Sequence, residues 1–158
     1  MKVTTVAIYL LGAICLSSFQ NQYTQTKQVF EFKAKEGYSD FIEFTQNEKE
    51  LTGLVYGAEL NEDGGPVYFR APFKASITKD VNGKDYIYFA FNKYEYSHKP
   101  FSGSAPNTDT INDRREIPFM LNYRMILSGN ISAQKLELCR AMDFYDSRCD
   151  KMTFERVK

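Results

Sequence analysis

A chain of 158 residues suffices for one domain with its own core and is short for two. Its 20 Lys and Arg balance its 20 Asp and Glu, and the one adjacent basic pair, Arg114-Arg115, stands beside Asp113 and Glu116, so no positive field exists to hold nucleic acid. Phe and Tyr number 13 and 11 while Trp is absent, an aromatic bias that favours strands.

Met1-Lys2 is a short basic start, Val3 to Leu16 is mostly apolar, and Ser17-Ser18 supplies small residues for cleavage. This predicts a signal peptide over 1–20, a single exported domain over 21–158, and an extracellular or periplasmic location. The apolar run is shorter than the roughly 20 residues needed to span a bilayer, so no transmembrane segment is expected. Cys15 sits where a lipoprotein would carry its lipid. Gly12 and Ile14, however, occupy the places of the usual Leu and small residue, so lipid anchoring is not expected and Cys15 leaves with the leader. An even pair of cysteines then remains.

Beyond a polar lead-in, Val29 to Ala34 alternates with Phe30 and Phe32 on one side, and Tyr38 to Gln46 puts Ile42 and Phe44 on one side. Leu51 to Gly57 follows a polar turn, and Gly53 within it calls for a bend or a close backbone approach. Ala58 to Gly65 reads as a loop. Val67, Phe69, Ala71, Phe73, Ala75 and Ile77 alternate with polar partners, and Pro72 among them marks an edge, bulge or bend because it cannot donate to a ladder. Asn82-Gly83 signals a hairpin. The return strand carries Ile87, Phe89 and Phe91 on one face and Tyr86, Tyr88, Tyr94 and Tyr96 on the other. His98 to Glu116 is a long irregular stretch rich in Pro, Gly and small polar residues.

The most regular alternation runs from Ile117 to Leu127, with Ile117, Phe119, Leu121, Tyr123, Met125 and Leu127 on one face. Apolar runs over 136–143 and 150–157 complete a terminal meander. Cys139 and Cys149 share the parity that an antiparallel hairpin needs to oppose them directly, which predicts a structural disulfide. In all, eight strands are expected, near 28–34, 38–46, 51–57, 67–79, 85–97, 117–131, 136–143 and 150–157. The predicted fold is an all-β, antiparallel, eight-stranded up-and-down barrel, with a β-sandwich as the alternative.

The stretch Glu43 to Gly57, EFTQNEKELTGLVYG, and the closing Asp150 to Val157, DKMTFERV, resemble the small exported lipocalin-like barrels of bacteria. The resemblance implies a closed meander around an interior that side chains or one small ligand would fill.

Little in the chain points to catalysis. His98 is the only histidine and lies on a Pro-flanked loop, and no Cys-x-x-Cys or paired-histidine spacing offers a metal site. No enzyme activity, metal or cofactor is expected. Asn130-Ile131-Ser132 matches the acceptor pattern for N-glycosylation.

Two functions fit: a monomeric barrel holding a small apolar or amphipathic molecule, or an interaction or inhibitor module using loop 98–116 and the Tyr face of 86–96. For the first, parity turns Arg140 and Arg156 inward. There they either pair with protein acids such as Asp143 or Asp146, or grip a ligand carboxylate while Tyr123 adds a hydrogen bond and Phe119 and Met125 line the apolar part.

Overall fold

The computed structural model describes residues 26–34, 38–91, 93–101, 110–111, 113–118, 124–142 and 149–157. The expected leader over 1–20, with Cys15, lies outside them. The described chain forms β1 (Gln28–Lys33), β2 (Ser39–Asn47), β3 (Glu50–Leu60), β4 (Pro66–Ser76), β5 (Thr78–Lys79), β6 (Asp85–Phe91), β7 (Glu95–Ser97), β8 (Met125–Ile131), β9 (Lys135–Met142) and β10 (Asp150–Arg156). All ten belong to one antiparallel sheet in the order β5-β6-β8-β9-β10-β1-β2-β3-β4-β7. No helix among the described residues is long and apolar enough to cross a membrane.

The expected all-β meander is present, but among the described residues the strands number ten rather than eight and the ladder does not close. Both differences arise where a strand changes neighbours. The Asn82-Gly83 turn forms, with Asp80 accepting the N–H groups of Asn82 and Lys84 and with Gly83 at φ 75°, yet it joins only two residue pairs, Thr78↔Tyr86 and Lys79↔Asp85. Beyond Ile77 the two arms part: β4 stays with β3, and β6 pairs with β8. After Phe91 the chain crosses back, and β7 pairs with the other end of β4 through Tyr68↔Ser97, Phe69↔Tyr96 and Arg70↔Glu95. Between these contacts β4 and β6 face each other across a seam with no ladder, and Pro72, which has no N–H to offer, lies on that edge. Side chains bridge the seam, the Phe73 and Phe89 rings stacking at 4.2 Å and 20°.

The expected strand from Ile117 is corrected too. A 3₁₀ turn spans Arg114–Glu116, and Ile117 and Pro118 are not in a strand; Phe119 to Tyr123 lie outside the described residues. Among the described residues β8 begins at Met125, in the register Phe91↔Met125↔Met142. Ile117 is still buried with the core.

One cluster fills the inside of the rolled sheet. Phe30, Ile42, Phe44, Leu51, Ile87, Phe89, Leu127, Leu136 and Phe154 are at most 2% exposed. Phe44 lies against the backbone of Gly53, where a Cβ would run into Glu43 O and Phe44 Cα, so Gly53 is a close approach between β2 and β3. The expected Tyr face divides. Tyr88 is exposed and Tyr86 half-buried, whereas Tyr94 and Tyr96 pack against the core, because the chain leaves the ladder after Phe91 and re-enters at Glu95 with its parity reset.

Cys139 and Cys149 are disulfide-bonded, with Cα atoms 5.3 Å apart. They are not directly opposed: Cys139 faces Lys151, and Cys149 stands just before β10, a diagonal neighbour on the same outer face. In a chain-entropy account, closing a loop of ten residues stabilises the fold by about 2.7 kcal/mol. Reduction should therefore lower urea-unfolding stability by about that much. A reduced protein with an unchanged midpoint would show that the link contributes nothing.

Candidate functional site

Antiparallel order sends alternate connections to opposite ends of the roll. One end carries the short turns 48–49, 80–84 and 132–134. The other carries the turn 61–65 and the strand ends at Lys33, Ser97 and Met142, from which the remaining connections leave. Charge penetrates the interior at this end only at particular positions. Asp40 shares the inward parity of Ile42 and Phe44, Glu59 that of Leu51 and Val55, and Arg140 that of Leu136 and Leu138.

Arg140 meets Glu59 at 3.5 Å and Asp150, its directly opposed partner on β10, at 3.8 Å. Its Nε is buried and has no hydrogen-bond partner among the described residues. Asp40 is 8% exposed and lies over Gly57, whose missing side chain makes the room: a Cβ there would collide with Asp40 Oδ1. Burial pushes the Asp40 carboxyl up to about 7, Glu59 adds to the rise, and Arg140 opposes it. Tyr94 closes the cluster, its edge on Phe69 and Phe91 and its face on Tyr96; its phenol is raised mainly by burial and further by Tyr96. Among the described residues no three His, Cys, Asp or Glu side chains are placed to share a metal ion.

On the outer face of the same end lies a cavity of about 270 Å³. Its floor is the outward rows of β2 to β4, where Phe41 and Tyr56 stack at 5.1 Å and 14° with Tyr68 beside them. Tyr38 and Ser39 form one rim, and Pro100 and Phe101, following β7, form the other. The second rim is held by charge: Arg70 bonds Glu95, its opposed partner, at 2.6 Å and places its guanidinium 4.7 Å from the Phe101 centroid. Burial, with Glu43 adding, pushes the Tyr56 phenol above its ordinary range. The walls are therefore aromatic faces with phenol and hydroxyl groups at intervals, the make-up of a small-molecule site.

The expected ligand fork does not assemble. Arg140 sits at the loop-bearing end and Arg156 six residues along β10 from Asp150, about 20 Å away at strand rise, where its Nη1 donates to Ala133 O. Met125 is buried near Arg140, since Leu127, two residues along, is the residue that faces Arg140. Phe119 and Tyr123, like Asp143 and Asp146, lie outside the described residues. Asp40 did not figure in the expected site although the parity that buries Ile42 points at it, and Glu59 fell in the expected loop 58–65, which is corrected by β3 running to Leu60. His98 lies 3.1 Å from Glu116 across the loop, half exposed, and Asn130 donates to Asp80 Oδ2 at 3.0 Å. In comparisons with known proteins, no family model matches the chain and no curated protein is significantly similar to it.

Proposed function

We propose that the chain is an exported, non-enzymatic binding protein for a small amphipathic molecule, held in the outer aromatic pocket rather than inside the roll. The pocket carries this reading: aromatic walls converge from three strands and a buttressed loop, with a few polar groups among them. An interior site is disfavoured by the bulk of the Phe side chains that fill the core and by Arg140 already having Glu59 and Asp150 as partners. Export is supported by the apolar leader and by the disulfide, a bond at home in oxidising compartments. In this reading the likeness to lipocalin-like barrels is one of rolled meander architecture. The rival reading, an interaction module, has the exposed ring of Tyr88 in its favour but loses Tyr94 and Tyr96 to the core.

Native mass spectrometry of protein from its own host should find a small molecule that Tyr56→Ala sheds, with affinity reduced about tenfold by the lost ring contacts and an unchanged circular dichroism spectrum. A molecule retained by that variant would put the site elsewhere.

A further inference from the structure

We propose that the outer pocket takes a quaternary ammonium group; this rests on the pocket being the ligand site. Five of its lining residues present aromatic rings from the outer face, Tyr38, Phe41, Tyr56, Tyr68 and Phe101, while Phe69 turns its ring into the core, and no lining residue is Lys, Arg or His. A trimethylated nitrogen has no N–H to satisfy, so it needs no buried acceptor; it gains instead from the negative faces of several rings at once. Few other charged groups suit a site whose polar atoms are hydroxyls.

The surrounding charges favour a cation. Glu31 stands directly opposite Phe41 in the β1–β2 ladder, and its Oε1 accepts a 2.7 Å hydrogen bond from the rim residue Ser39. Of the nearby cations, Lys27 pairs with Glu43 at 2.7 Å and Arg70 with Glu95, while Lys33 stands one ladder position away, opposite the rim residue Ser39. Arg70 also shows that this wall holds a cation on a ring, its guanidinium facing Phe101. A cavity of about 270 Å³ is below the size of drug-like sites and fits a trimethylammonium group on a short chain. A carboxylate ligand would find no positive partner among the lining residues.

The group could arrive on a free soluble amine or on a phosphocholine lipid headgroup, and the test separates these. Calorimetric titration of the full protein from its host with choline, and with dimethylbutanol, which replaces the charged nitrogen by carbon, should show choline binding about tenfold tighter. Tyr56→Leu should weaken choline about tenfold and leave dimethylbutanol unchanged, because leucine keeps the apolar contact and removes the ring face. Phe41→Leu repeats the measurement should Tyr56→Leu fail to fold. Co-sedimentation with phosphatidylcholine vesicles that choline reverses assigns the lipid headgroup; choline binding without co-sedimentation assigns the soluble amine. Equal affinity for the two probes overturns the ammonium inference and leaves a pocket for neutral molecules. Binding of neither probe also overturns it; the pocket reading survives that result only where the host-derived molecule is still shed by Tyr56→Ala, and otherwise both fall.

Discussion

Asp40→Asn should leave stability unchanged below about pH 4 and raise it by up to about 4 kcal/mol at about pH 8. The carboxyl is nearly enclosed, and burial, seconded by Glu59, lifts it from 3.8 to about 7, with Arg140 alone among the named causes pulling it down. A folded state that holds a proton which the unfolded chain has released is favoured at low pH. That contribution is lost as pH rises from the unfolded value of 3.8 through the folded value of about 7. Above that range an ionised Asp40 is a standing penalty, which the isosteric amide removes. Arg140→Met should move the Asp40 titration higher still, since it deletes the one favourable charge. Urea unfolding across this pH range, with the Asp40 carboxyl followed by NMR, measures both effects. Parallel stability curves for the two proteins would mean that the acid is hydrated and the cluster open to solvent.

Phe89→Ala should cost about 3–5 kcal/mol, the upper range for a buried ring, because the cavity it leaves cannot collapse easily. Phe89 is 2% exposed and touches both Phe73 and Phe91, the first across the seam and the second along its own strand. Elsewhere in the roll a lost ring leaves backbone ladders in place on both sides. Between β4 and β6 the ladder is missing, so ring stacking is a principal tie between the two flanks. The expected signature is selective: amides of β5, β6 and β7 lose hydrogen-exchange protection while β9 and β10 keep theirs. A loss of less than about 1 kcal/mol, or protection lost uniformly, would show that the seam is held by something else.

The strands were legible where one face is buried and the other wet. Val67 to Ala75 and Ile87 to Phe91 alternate as read and bury the expected residues. The pairing of Cys139 with Cys149 was legible from parity and an even count, and only its diagonal register was not. Parity would also have found Asp40, whose placement follows from Ile42; Glu59 was out of its reach, because the expected strand ended at Gly57 whereas β3 runs on to Leu60. Pro72 announced an edge, though not which strand it would fail to join.

Local alternation thus determined which residues form strands and which side of each is apolar, because side-chain direction follows from the pleat alone. It could not determine where a strand stops. Among the described residues β8 begins at Met125, in the register Phe91↔Met125↔Met142 set by segments far apart in the chain, and Ile117, Pro118 and Arg124 are in no strand. The seam, the split of two expected strands and the turning of Tyr94 and Tyr96 to the core share this cause: a strand exists only as far as a partner's hydrogen bonds reach. The outer pocket is still further from the sequence, since Phe41, Tyr56 and Tyr68 occupy positions that alternation assigns to solvent. Only the return of the chain after β7, with Phe101 laid against Arg70, turns that exposed aromatic row into a cavity.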